Sequence, residues 1–83
     1  MLELRHLRTL NALYETGSVS LAAERLHLTQ SALSHQIRVL QEYYQLPIIQ
    51  RSGHAVQLTD AGKRLVQLAE KILGDIRAAE RDL

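Results

Sequence analysis

The stretch Thr29-Gln30-Ser31-Ala32-Leu33-Ser34-His35-Gln36-Ile37-Arg38-Val39-Leu40-Gln41-Glu42-Tyr43-Tyr44 decides how this chain is read. Leu33, Ile37, Leu40 and Tyr44 recur at i, i+4, i+7 and i+11, which is one stripe of an α-helix. Ser31, Ser34, His35, Arg38 and Glu42 fall on the opposite side. That outer face is mostly short donors and acceptors, with one Arg, one His and a single carboxylate near its far end. Gln30, Ser31 and Ser34 occupy the first turns, where backbone N–H groups and the helix dipole attract an anion. Such a face suits insertion into a DNA major groove. Taken alone, it is equally compatible with an ordinary solvated face.

Working outward toward the N-terminus, residues 3–16 predict a first helix, with Leu4, Leu7, Leu10 and Tyr14 in one stripe widened by Leu13. Gly17 is placed to end it, and Ser18 to cap the next helix through its hydroxyl. There Val19, Ala22, Ala23 and Leu26 fall at i, i+3, i+4 and i+7, and the two small alanines allow close approach of another helix. His27 and Leu28 leave almost no linker before Thr29, a candidate cap for the central helix. Two short helices joined so briefly must cross steeply, as in a helix-turn-helix.

Toward the C-terminus, Pro47 is expected to stop the central helix. Ile48–Arg51, the turn cluster Ser52–Ala55 and Val56–Leu58 predict a small β-hairpin, a wing that must pack on the helices. Arg51 and His54 at its tip would reach a phosphate or the minor groove, or merely be solvated. Thr59 then caps a long helix over Asp60–Leu83, with Asp60 well placed for the dipole. Leu65, Ala69, Ile72, Ile76, Ala79 and Leu83 are spaced as a heptad seam. Burial against the first helix accounts for Leu65 and Leu68, whereas Ile72 to Leu83 are expected to meet a second copy of the chain.

Composition narrows the function classes. The chain has 83 residues, no Cys, Trp or Phe, and a net charge of +1. It therefore makes one small domain with an aliphatic core edged by Tyr14, Tyr43 and Tyr44, and no disulfide. The small net charge does not announce a nucleic-acid partner. Its distribution says more: residues 29–64 carry four basic side chains against two acidic ones, and the remainder six against seven. No apolar run reaches signal-peptide or membrane-span length, so a cytoplasmic, nucleoid-associated location without membrane contact is expected. His6, His27, His35 and His54 lie on separate elements with no metal-ligand spacing. Ser34 and His35 are helix neighbours whose side chains diverge, and there is no phosphate-binding glycine loop. Neither a catalytic site nor a metal site is expected, and the chain is not read as an enzyme.

Four separated blocks then match one family in order. Leu21 to Ile37 carries the paired alanines Ala22-Ala23, Leu26, and the run Thr29-Gln30-Ser31-Ala32-Leu33-Ser34-His35-Gln36-Ile37, and Leu58-Thr59-x-Ala61-Gly62 follows the wing. This resembles the DNA-binding domain of LysR-type transcriptional regulators over essentially the whole chain, and within that family it is most similar to the activators of methionine biosynthesis. The resemblance implies a mainly α winged helix-turn-helix over residues 1–58 (three helices and a short β-hairpin) and a dimerising linker helix over 59–83. It implies base contacts from Gln30, Ser31, Ser34 and His35. Backbone or groove contacts would come from Ser18, Ser20 and Thr29 near helix starts, from Arg38, from Arg51 and His54 on the wing, and from Lys63. The dimer interface would be Leu65, Ala69, Ile72, Ile76, Ala79 and Leu83.

The implied partner is double-stranded DNA carrying an interrupted inverted repeat, bound by a homodimer that becomes a tetramer in the full-length protein. No cofactor belongs to this domain. A small-molecule effector, homocysteine for the methionine branch, would bind an effector domain beyond the linker helix, where this chain stops. Ser31 stands where most members have Pro, and His35 where many have Arg, which weakens the phosphate anchor because neutral imidazole carries no charge. Gln45 replaces a common Gly and Ile49 a common Phe. The rival reading is a helical module that only dimerises or binds protein, distinguished by the absence of salt-dependent DNA binding.

Overall fold

A computed structural model describes residues 1–53 and 55–83. The elements run α1 (Leu4–Thr16), α2 (Val19–Arg25), α3 (Gln30–Tyr44), β1 (Ile49–Ser52), β2 (Ala55–Leu58) and α4 (Asp60–Arg81). This is the expected mainly α winged helix-turn-helix with a long last helix, which ends two residues before Leu83.

Helix ends are set by local hydrogen bonds. Ser18 Oγ accepts from the Leu21 N–H at 3.2 Å, Thr29 Oγ1 from Ala32 at 3.0 Å and Thr59 Oγ1 from Gly62 at 3.2 Å, so all three expected caps form. Gly17 takes the left-handed conformation at φ 66° and closes α1. The turn from α2 to α3 has no glycine. His27 adopts φ 57° instead, and the His27 and Leu28 N–H groups bond Glu24 O and Ala23 O at 3.2 and 2.9 Å. That pairing is a Schellman motif with His at its left-handed position.

The end of α3 corrects the expectation that Pro47 stops it. The chain leaves the helix earlier, at Gln45, which takes φ 56° and whose Nε2 donates to Glu42 O at 2.6 Å. Gln45 thus makes the turn for which glycine is the unstrained choice.

β1 and β2 pair antiparallel in the register Ile49↔Leu58, Gln50↔Gln57, Arg51↔Val56 and Ser52↔Ala55. Alternation puts Ile49 and Arg51 on one face, with the buried Val56 and Leu58, and Gln50 and Gln57 on the other.

The main core unites all the elements: Leu10 and Leu13 of α1, Ala22 and Ala23 of α2, Leu33, Ile37 and Leu40 of α3, Ile48, Val56 and Leu58 around the wing, and Val66 of α4. A smaller cluster of Leu7, Ala69 and Leu73 continues between α1 and α4. Two stripes turn differently from expectation. On α1 the buried face runs through Leu7, Leu10 and Leu13 with His6 and Thr9, while Leu4 and Tyr14 are 39% and 57% exposed. Tyr44 packs against the core, but Tyr43 is exposed.

On α4 the buried residues are Gly62, Val66, Ala69 and Leu73, a stripe at i, i+4, i+7 and i+11 that packs on the chain's own α1 and wing. Ala69 has no accessible surface, so it has nothing to offer a second copy, and Leu65 is packed against the core. Ile72 borders the smaller cluster. Past Leu73 the helix becomes more open: Arg77 still lies beside Asn11, Tyr14 and Glu15 of α1 and Ile76 is half-buried, but Ala79 and Leu83 are exposed.

Candidate nucleic-acid interface

Burial of Leu33, Ile37 and Leu40 fixes the rotation of α3, and that rotation turns Gln30, Ser31, His35, Arg38 and Glu42 outward, with Ser34 half-exposed. Gln36 faces inward, where its Oε1 accepts from Thr9 Oγ1 at 2.6 Å. The four expected base-reading residues therefore lie together on the first two turns of one helix. Arg38 extends that face, with a guanidinium nitrogen 3.5 Å from His35 Nδ1.

Beside this face lies a cleft of about 260 Å³ between α3 and β1, lined by Val19, Leu33, Ser34, Ile37, Arg38, Gln41, Ile49 and Arg51. The strand alternation that buries Val56 brings Arg51 onto the α3 side of the ribbon. Two guanidinium groups, Arg38 and Arg51, thus flank one cleft that Ser34 also lines. Guanidinium is permanently charged and matches phosphate oxygens bidentately, so the cleft forms a positive seat along the rim of the helix face.

The remaining candidates divide. Thr29 is exposed at the head of α3, its oxygen engaged as cap. Ser18 and Ser20 hydroxyls sit 3.1 Å apart at the start of α2. Lys63 is not brought into the α3–β1 cleft; it lines a different one with Tyr14, Gln50 and Gln57, on the outer face of the wing. His54 lies outside the described residues. The sequence reading missed Gln41, whose Oε1 accepts from the Ile48 and Ile49 N–H groups at 2.9 and 3.4 Å. A polar residue on the flank of the apolar stripe carries no signal of its partner seven residues on. Among the described residues no group of His, Asp or Glu is arranged to hold a metal, and no helix is long and apolar enough to cross a membrane.

Residues 4–63 match the family model of the bacterial regulatory helix-turn-helix proteins, lysR family. The chain belongs to the LysR family. The MetR transcriptional regulator of Haemophilus influenzae is 55% identical over 82 residues, covering 99% of this chain and 26% of that protein. The Escherichia coli K12 MetR regulator is 42% identical over 79 residues, 95% of this chain and 25% of that protein. The chain thus spans about a quarter of the length of these curated LysR relatives.

Solved LysR structures superpose over nearly the whole chain. The CbnR DNA-binding domain in its DNA complex matches with TM-score 0.83 at 30% identity, over 98% of this chain and 94% of that one. The BenM domain in complex with catB site 1 DNA matches with TM-score 0.86 at 34% identity, over 96% and 90%. The fold is the winged helix-turn-helix of LysR DNA-binding domains, and the similarity to activators of methionine biosynthesis agrees with the two MetR relatives above.

Proposed function

We propose that this chain is the sequence-specific DNA-reading head of a transcriptional regulator that binds double-stranded DNA as a homodimer. The observation that carries the reading is the outer face of α3. Gln30, Ser31, Ser34 and His35 lie side by side there, next to a cleft flanked by Arg38 and Arg51. Short amide and hydroxyl groups read base edges, and the arginines seat the backbone. The likeness to LysR domains in DNA complexes supports this assignment.

In this reading residues 1–58 form the head and 59–83 the linker helix. α3 enters the major groove, and the wing lies near the minor groove or backbone. The end of α4, from Ile76 onward, meets a second copy and sets two heads on an interrupted inverted repeat. A tetramer, a small-molecule effector (homocysteine for a MetR-like protein) and a cytoplasmic, nucleoid-associated location belong to the same reading of the whole protein. No catalytic role is assigned. The deciding experiment selects duplexes from a random pool with the chain and measures their affinity against salt. An enriched half-site repeated in inverted orientation, with affinity falling steeply as salt rises, is expected. Binding that is absent, or indifferent to salt, would leave a dimerisation module without a DNA partner.

A further inference from the structure

Gln41 sits where the reading helix hands over to the wing. Its backbone carbonyl accepts from Gln45 and, at 3.3 Å, from Leu46. Its side-chain Oε1 accepts from Ile48 at 2.9 Å and Ile49 at 3.4 Å. Four successive donors of the α3–β1 connection thus converge on one residue, with Pro47, which has no N–H, between the pairs. The far side of the same segment is held by Thr59. Its Oγ1 lies 2.7 Å from Pro47 O and 3.1 Å from Ile48 O, and its N–H donates to Ile48 O at 3.0 Å.

The Ile48 side chain is buried at 1% exposure, so its peptide has little access to water, and losing its acceptor would leave a desolvated donor. β1 begins at the next residue, and Arg51 is two further on along the same strand face. The position of Arg51 across the cleft from Arg38 is therefore set by where Gln41 pins the start of β1.

Resting on the DNA-binding reading above, we propose that Gln41 is a positioning residue for DNA binding: its side-chain carbonyl fixes the offset between α3 and the wing, so that Arg38 and Arg51 engage the backbone at the same time. Gln41 acts through Arg51, not by touching a base. A group that positions acts by pre-organisation, so its loss shows in the contact it serves.

The test measures how much Arg51→Ala weakens binding in three backgrounds of the chain: wild type, Gln41→Met and Gln41→Glu. The probe is a duplex selected with the wild-type chain from a random pool. Met removes the acceptor at similar length. Glu keeps carboxylate acceptors for Ile48 and Ile49 but loses the amide donor, and it adds a charge to the cleft that Arg51 also lines, so a retained Arg51 loss is the outcome read from it. The Arg51→Ala loss is expected to be about tenfold in wild type and in Gln41→Glu, and under about twofold in Gln41→Met. If Gln41→Met does not fold, Gln41→Ala, which leaves room for water at the Ile48 and Ile49 N–H groups, takes its place: an Arg51 loss under about twofold supports the carbonyl clamp, and one of about tenfold overturns it. The same Arg51 loss in all three backgrounds, or none in wild type, also overturns the positioning role. Failure of the wild-type chain to bind any duplex is a different result, the failure of the DNA-binding reading itself.

Discussion

Thr9 Oγ1 donates a 2.6 Å hydrogen bond to Gln36 Oε1, joining α1 to α3 across 27 residues. Thr9 is 1% exposed and Gln36 half-buried, so the bond is partly shielded from water and adds a directional contact to the apolar stripe that orients α3. Thr9→Val keeps the shape and leaves the Gln36 amide without its donor, which is expected to cost about 1–3 kcal/mol. Thr9→Ser keeps the hydroxyl and should cost far less. Urea denaturation of both variants checks this, and a loss confined to Thr9→Ser would show that the methyl group, not the hydrogen bond, matters.

Readout by Gln30 has a separate signature. Its amide can pair bidentately with an adenine, so Gln30→Ala is expected to lose about 1–3 kcal/mol on the selected duplex and little on random DNA. Arg38→Ala should weaken both about equally and flatten the salt dependence. Titrations at two salt concentrations separate the two cases. A Gln30→Ala loss of the same size on random DNA would remove it from base reading.

Gly62 is a helical glycine whose replacement by alanine would ordinarily stabilise by about 1 kcal/mol. Here an added Cβ would overlap the Ile48 carbonyl oxygen and come within 3.2 Å of Leu58 side-chain atoms. The oxygen belongs to a backbone segment held by Thr59 and cannot step aside cheaply. Gly62→Ala is therefore expected to destabilise the fold by about 2 kcal/mol or more, read as a lowered thermal midpoint; a raised one would mean that α4 and Ile48 separate freely.

The pH dependence of stability should carry a His6 component. Its ring is buried at 4% exposure, its Nδ1 accepts from the Glu3 N–H at 2.9 Å, and desolvation pushes its pKa below the ordinary 6.5. The unfolded chain therefore binds this proton more readily than the folded one. The contribution is full above pH 6.5, declines as pH falls through that value, and levels off below the depressed folded pKa. His6→Gln keeps an acceptor for the same N–H and has no titrating ring, so its denaturation midpoint should vary less across this range. An unchanged pH slope in His6→Gln would assign the dependence to other groups.

The dimer reading is tested at Ile76 rather than Ile72, because Ile72 borders the chain's own Leu7–Ala69–Leu73 cluster. Ile76→Asp puts a carboxylate where an apolar interface is proposed, at a cost of several kcal/mol if buried unpaired. Sedimentation should show a monomer with undiminished helical circular dichroism, and binding to an inverted repeat should fall to that of one half-site. A dimer that survives Ile76→Asp would locate the interface elsewhere.

The sequence by itself determined where the helices start, the hairpin, the polar face of α3 and the family. Caps such as Ser18, Thr29 and Thr59 bond a donor three residues on, and the stripe Leu33–Ile37–Leu40 repeats within one helix, so both are written in short-range spacing. The turns at His27 and Gln45 were less legible, because neither residue advertises a left-handed conformation as glycine does. Only the tertiary structure decided that Ala69 faces inward while Tyr14 faces out. It also decided that Arg51 shares a cleft with Arg38, and that Gln41 and Thr59 grip the Ile48 segment from opposite sides. Those outcomes depend on how α1, α4 and the ribbon cross one another. A crossing is chosen by the summed packing of residues far apart in the chain, which leaves no local spacing to read.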